Sequence, residues 1–108
     1  MRATATILFV AGLAGTAFGA SVTFYGDRSC SNVIGRKVLS AGDAPVPRGA
    51  QALRVDATGG TWFAYRSSDG VHCTGGVITR LNGDTCYSVG SLGVGCTRLC
   101  PSGLACSL

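Results

Sequence analysis

Residues 61–84 read TWFAYRSSDGVHCTGGVITRLNGD, and this stretch decides the fold class. An aromatic run at 61–66 is followed by a polar turn and a cysteine. A second β-type run at 76–81 then leads into the Asn82-Gly83-Asp84 turn. Short runs of β-branched and aromatic residues between glycine-containing turns are typical of strands. The stretch therefore predicts an all-β protein.

An earlier stretch has the same order of features. VTFYGDRSCSN (22–32) is followed by VLSAGD (38–43), which again gives an aromatic strand, a polar turn, a cysteine, a strand and a Gly-Asp turn. This similarity predicts a duplicated unit of about forty residues. No window after residue 20 shows an apolar helical repeat, and regularly spaced short strands indicate a sandwich or barrel. The predicted strands are Val22–Tyr25, Val33–Leu39, Gln51–Asp56, Thr61–Arg66, Gly76–Leu81 and Thr85–Val89.

The first nineteen residues have the layout of a secretory signal peptide. A positive start at Met1-Arg2 precedes the apolar run Ile7–Ala14, and Ala17 and Gly19 fit the cleavage positions. A buried N-terminal helix is the alternative, but the apolar run is shorter than a membrane span requires. We expect residues 1–19 to be removed and residues 20–108 to form a single domain, secreted and extracellular.

The cysteines all lie in that domain, at Cys30, Cys73, Cys86, Cys96, Cys100 and Cys106. An even number in a short secreted chain predicts disulfides rather than a metal site, and the sequence has one histidine to offer as a ligand. The tail, defined as the residues after Val89, is rich in glycine and serine and poor in bulky side chains. We therefore expect that burial does not hold the tail and that disulfide bridges fasten it to the body.

Parity requires at least one bridge between tail and body if all six cysteines pair within the chain. The stronger prediction is that the three tail cysteines pair with Cys30, Cys73 and Cys86, because such bridges close long loops. Spacing alone leaves fifteen connectivities open.

The residues also resemble those of βγ-crystallin domains. Tyr25 fits the first aromatic position of the family's hairpin, where Cys30-Ser31-Asn32 replaces an aromatic-x-Gly. ALRV followed by Gly60–Tyr65 is similar to the family's passage between two motifs, and Leu81–Asp84 fits its Leu-x-x-Gly-(acid) turn. The resemblance covers roughly Ser21 to Val89. It implies a small Greek-key sandwich, stapled here by disulfides, as in microbial killer toxins and a bacterial protease inhibitor.

The chain departs from the calcium-binding members of that family. Residues 47–52, before Leu53, lack the acidic and hydroxyl residues with which those members bind Ca²⁺, an ion that needs six to eight oxygen ligands. We expect no metal site, no cofactor and no effect of Ca²⁺ on the melting temperature.

The sequence contains few residues arranged in a pattern that catalysis requires. The five acidic residues are all aspartates, whereas a glycosidase needs two paired carboxylates. His72 and Cys73 are adjacent, so on a strand they would point to opposite faces. Ser67-Ser68-Asp69-Gly70 has ordinary turn composition and no nucleophile-elbow pattern. We expect no enzyme activity.

The aromatic and the basic residues are two further features that could serve binding. The aromatic residues are predicted to pack in the core rather than to stack on a ligand. The basic residues are dispersed, and without Arg2 they give a net charge of +3 (8 basic, 5 acidic). That charge favours loose attraction to anionic surfaces but does not predict nucleic-acid binding or membrane insertion.

Residues 44–48, APVPR, are predicted to be a stiff extended loop. Pro45, Pro47 and Arg48 are candidates for insertion into a protease cleft, with a simple connection between strands as the alternative. The overall format of the chain also resembles the small secreted cysteine-rich proteins of filamentous fungi, many of which act as effectors on host plants. We expect a monomeric, non-enzymatic effector or virulence protein that binds an extracellular protein or cell surface of a host. The alternatives are an antimicrobial or killer-type toxin against competing microbes, and a protease inhibitor.

Overall fold

The computed structural model describes residues 20–101, so the predicted signal peptide and Cys106 lie outside the described residues. Within this range the chain forms eight strands and one helix of a single turn. No helix in the described range is long and apolar enough to cross a membrane. The elements are β1 (Ala20–Tyr25), β2 (Val33–Leu39), β3 (Gly42–Pro45), β4 (Ala52–Asp56), β5 (Gly60–Ser68), β6 (Cys73–Leu81), β7 (Tyr87–Ser88), α1 (Val89–Leu92) and β8 (Cys96–Pro101).

The strands form two four-stranded antiparallel sheets. The first sheet has the order β2-β1-β4-β7 and the second has the order β3-β8-β5-β6. Strands β1–β4 form one Greek-key unit, because β4 returns to lie beside β1, and β5–β8 form another in the same way. Each unit places its third strand in the other unit's sheet. The prediction of an all-β, disulfide-stapled Greek-key sandwich is confirmed.

The core lies between the two sheets. Alternate residues of β1 and β4 face it, as the period-two pattern of Leu53 to Asp56 predicts. Trp62 from β5 is fully buried there, and its indole N–H donates to the Asp56 carbonyl over 3.0 Å. Each such large side chain stabilises the fold by roughly 1.5–3 kcal/mol on burial. The core residues are Ala20, Val22, Phe24, Ala44, Leu53, Val55, Trp62, Ala64, Leu81, Val94 and Leu99.

The aromatic residues pack mostly as predicted. Phe24 and Trp62 belong to the core, and Tyr65 packs in a second cluster with Cys73 and Cys96. Tyr25 is buried as well. Phe63 and Tyr87 are half-buried against these clusters.

The predicted strands are found, with shifted ends. β2 has the predicted bounds, whereas β6 begins at Cys73, three residues before the predicted start at Gly76. Gly75 and Gly76 therefore lie inside a strand. Both have positive φ (82° and 90°), and a Cβ on Gly75 would lie 2.6 Å from Ser67 Oγ, so no larger residue fits there without displacement.

The prediction that the tail lacks the means to bury itself is wrong for its described part. β8 is a central strand of the second sheet, between β3 and β5, with Thr97 and Leu99 buried. Val94 also joins the core. The tail has few bulky residues, but they are placed where alternation directs them inward. The preceding turn α1 begins at its N-cap Ser88, whose hydroxyl accepts from the Ser91 N–H.

The stiff loop predicted at residues 44–48 is also wrong in its first half. Ala44 and Pro45 belong to β3 and pair with Thr97 and Cys96. Pro45 is tolerated because β3 is an edge strand, where one side of the backbone needs no partner.

The disulfides correct the stronger prediction about pairing. Cys30 bonds to Cys86, which joins two body cysteines and excludes a bridge from each of them to the tail. Cys73 bonds to Cys96, so one body-to-tail bridge exists, as parity requires. Cys100 is disulfide-bonded too. The stronger prediction failed because β8 is held by sheet pairing and needs fewer covalent anchors.

Candidate functional site

The most exposed apolar surface lies on β2, at one edge of the first sheet. Val33, Ile34 and Val38 are 57%, 44% and 60% exposed, and they are three of the four large apolar side chains exposed in the described residues. The fourth, Val71, lies in the loop between β5 and β6, next to His72. An apolar side chain exposed alone is ordinary, but three on one seven-residue strand are a candidate contact surface.

Register explains why these side chains stay exposed. Val38 and Val33 pair with Ser21 and Tyr25 of β1, which alternate with the core residues of that strand and so face away from the core. Ile34 is the extra residue where the register shifts. Nothing in the described part of the chain pairs with the outer side of β2.

The other three sheet edges differ from β2. β3 and β7 have four and two residues, and β3 contains Pro45. β6 is long, but its pairing with β5 shifts register twice and it contains the positive-φ Gly75 and Gly76. Short strands, proline and bulges are the usual means by which proteins protect sheet edges. β2 is the one long edge in the described chain that has a single register shift near its end and no such interruption in its middle.

Two cations stand at the centre of β2. Arg36 and Lys37 are both exposed, and no acidic residue lies within the strand. Lys37 is the one lysine in the sequence. Asp56 of β4 has its pKa lowered chiefly by hydrogen bonds from Thr58 and to a smaller extent by the charge of Arg36. The β2 surface, defined as Val33, Ile34, Arg36, Lys37 and Val38, thus combines apolar contact area with positive charge along one sheet edge. Arg36 pairs with Thr23 and Lys37 with Val22, so the two cations lie on opposite faces of that edge.

A second polar cluster lies where β3 meets β8. Arg98 donates to both carboxylate oxygens of Asp43, over 2.6 Å from Nε and 3.1 Å from Nη2. Its guanidinium also reaches the Tyr65 hydroxyl and lies 4.8 Å from the centre of that ring. Asp43 accepts a further bond from the Cys73 N–H over 2.8 Å. The Arg98 hydrogen bond is the largest influence that lowers the Asp43 pKa, so this carboxylate stays ionised as a structural anchor.

The two hairpin loops each use an aspartate in the same way. Asp27 accepts from the N–H groups of Ser31 and Asn32, and from the Ser29 hydroxyl, which has the largest influence in lowering the Asp27 pKa from 3.8 to about 2. Asp69 accepts from the N–H groups of Val71 and His72, and these bonds lower its pKa. Both carboxylates fix loop geometry.

The sequence-predicted binding residues do not form one site. Pro45 pairs with Cys96 in β3, whereas Pro47 and Arg48 lie in an exposed turn closed by the Ala50 N–H and the Pro47 carbonyl. His72 is exposed next to Asp69, and Cys73 is in a disulfide and therefore not a thiolate nucleophile. The described residues contain no cluster of three or more potential metal ligands.

Comparison of the chain with protein-family models, curated proteins and solved structures found no match.

Sequence reasoning found strand β2 but missed its surface. The available signal was the pair of neighbouring apolar residues Val33-Ile34 and the pair of neighbouring cations Arg36-Lys37 in one short strand. Such pairs break the alternation expected of a half-buried strand and indicate that neither face of the strand is fully covered.

Proposed function

We propose that this chain is a secreted, non-enzymatic binding protein of βγ-crystallin-like type, and that it acts as an effector on a host through the β2 surface. The observation that carries the proposal is the exposure of Val33, Ile34 and Val38 beside two cations on an uncovered sheet edge. A surface of this kind gives contact area for a partner, whereas the remaining edges are short or irregular.

The ionisable groups support binding over catalysis. Four aspartates have pKa values lowered by hydrogen bonds, so each is held as a carboxylate within a loop or ion pair. A catalytic acid or base instead needs a pKa close to the working pH and access to a substrate.

Action outside the cell is supported by the covalent framework. Cys30–Cys86 and Cys73–Cys96 are oxidised, and stable disulfides persist in oxidising compartments. The signal-peptide pattern of residues 1–19 supports the same location. The two interlocked Greek-key units and the residues at Gly60–Tyr65 support the βγ-crystallin-like assignment.

The test compares purified wild-type protein with a variant that alters only the β2 surface. Val33→Thr with Val38→Thr keeps β-branched shape and strand propensity but removes apolar contact area. Val71→Thr is the matched control, because Val71 is 65% exposed and lies outside β2. We expect infiltrated leaf tissue to respond to the wild type and to the control but not to the double variant, with all three melting at the same temperature.

Two parallel assays address the alternatives. Growth inhibition of competing microbes without a host response would support the toxin function, and stoichiometric inhibition of a protease would support the inhibitor function. A host response that the double variant retains in full would contradict the role of the β2 surface.

A further inference from the structure

We propose that β2 binds an extended acidic segment of a partner protein as an added strand of the first sheet. This inference rests on the proposed function, because it takes the β2 surface as the binding surface. It adds the chemistry of the partner and the way in which the partner is held.

The backbone of β2 is the first element of the argument. β2 has seven residues and, in the described chain, pairs on one side alone, with β1. Every second residue of an antiparallel edge strand directs its N–H and C=O away from the neighbouring strand, so roughly three or four residues of β2 offer unpaired backbone groups. An extended peptide satisfies these groups by continuing the ladder.

The positive charge of β2 indicates that the partner segment is acidic. Arg36 and Lys37 stand at the middle of the strand with no acid in it, so a strand that places carboxylates opposite them gains cross-strand attraction. A second copy of this chain is a poor partner, because antiparallel self-pairing about the centre of β2 brings Arg36 against its own copy. Like charges directly opposite each other destabilise a strand pair.

The apolar residues define the rest of the partner. Val33 and Val38 flank the two cations on either side, at 57% and 60% exposure. A partner strand with two central acids and apolar or β-branched residues towards its ends therefore matches β2 along its length. An anionic lipid surface would satisfy the charges but would leave the backbone groups of β2 without partners, so the observations favour a peptide.

A synthetic seven-residue peptide tests this arrangement directly. The probe has two adjacent central glutamates flanked by valines and threonines, and a second peptide replaces the glutamates with lysines. We expect the wild-type protein to bind the acidic peptide at least about tenfold more tightly than the basic one in fluorescence anisotropy. Lys37→Glu should reduce that preference about tenfold, whereas Arg80→Glu, the same charge change on the other long edge strand, should leave it unchanged.

Backbone methylation separates strand addition from charge attraction. Two versions of the acidic peptide carry N-methyl groups at alternate residues, one set offset from the other by one position. Strand addition requires that one version lose binding by about tenfold or more while the other keeps it, because only one edge of the peptide pairs with β2. Carbodiimide coupling of the bound acidic peptide should join its carboxylate to Lys37, the single lysine in the sequence.

Several results would overturn the inference. Equal binding of both methylated peptides would show attraction without strand pairing, and binding to anionic vesicles but to no peptide would show a membrane partner. If Val33→Thr with Val38→Thr abolishes the host response while the acidic peptide does not bind, the proposed function stands and strand addition is wrong. If the peptide binds as expected while the host response is insensitive to those changes, the proposed host role fails instead.

Discussion

The two Greek-key units have the same topology but fasten their hairpins by different chemistry. In the first unit Cys30, in the loop after β1, bonds covalently to Cys86, next to β7 of the second unit. In the second unit Cys73 follows β5, and its N–H donates to Asp43 of β3, which belongs to the first unit. Both contacts join a hairpin to the third strand of the other unit, once through sulfur and once through a carboxylate.

The difference extends to the fourth strands. Arg54 of β4 and Arg98 of β8 hold similar places in their strands, because each follows two buried residues and precedes a buried one. Arg98 pairs with Asp43, whereas Arg54 is exposed and forms no ion pair with another described residue. Where the first unit has a disulfide, the second has an ion pair and also a bridge from Cys73 to Cys96 within its own sheet. The two units are thus joined by a covalent bond at the first hairpin and by the non-covalent contacts of Asp43 at the second.

The largest expected effects come from removing one bridge at a time. Cys30→Ala with Cys86→Ala opens a crosslink between residues 56 apart, and Cys73→Ala with Cys96→Ala one between residues 23 apart. Loop entropy predicts losses of roughly 4 and 3 kcal/mol in the free energy of unfolding, measured with urea.

Amide hydrogen exchange gives the sharper comparison of the two hairpins. Without Cys73–Cys96, the amide of residue 73 should stay protected, because Asp43 still accepts its N–H. Without Cys30–Cys86, the first hairpin keeps only bonds within its own loop, to Asp27 and from the Gly26 N–H to the Asn32 carbonyl, so protection across the loop should fall. Equal loss of protection in the two hairpins would contradict the role given to Asp43.

A smaller effect is expected from the two arginines. Arg98→Ala leaves the Asp43 carboxylate, whose side chain is 7% exposed, without its cation and should cost about 2 kcal/mol. Arg54→Ala removes an exposed side chain and should change stability by less than about 0.5 kcal/mol. Chemical denaturation of both variants measures the difference.

A double-mutant cycle then assigns the effect of Arg98 to its partner. Arg98→Ala combined with Asp43→Asn should lose less stability than the sum of the two single changes, since each change breaks the same ion pair. Additive losses would show that Arg98 acts chiefly through Tyr65, which it also contacts.

The same contrast shows how far sequence reasoning reached. The strands and the repeat were predicted from local signals, namely aromatic or β-branched runs and glycine turns. These signals were enough to predict the sandwich. β3 and β8 were missed because their residues, GDAP and CTRLCP, have weak strand propensity and form strands through pairing with distant partners. The conformation of such segments depends on tertiary contacts, which no local window of the sequence shows.

The candidate site was missed for a related reason. Strand β2 was predicted with its correct bounds, but its position at a sheet edge depends on the order of all four strands of the first sheet. The Cys30–Cys86 pairing is equally non-local, because it follows from β7 crossing into the other unit's sheet. Neither the edge position of β2 nor the Cys30–Cys86 pairing can be predicted from the spacing of residues along the chain.

The smallest expected effect compares the two aspartates that close the hairpin loops. Asp27 accepts one hydroxyl and two amide bonds and has a pKa of about 2, while Asp69 accepts two amide bonds and has a lowered pKa as well. Because folding depresses both pKa values, each carboxylate stabilises the fold above its unfolded pKa of about 4, and that stabilisation is lost as the pH falls through the folded value. Carboxyl ¹³C shifts recorded against pH should therefore give a midpoint near 2 for Asp27. Asp27→Asn should weaken the dependence of the melting temperature on pH below about 4. Near neutral pH, the slope of melting temperature against pH should be the same as in the wild type. A carboxyl midpoint for Asp27 at its ordinary value would show that the loop does not hold this side chain in the first unit as the structure describes.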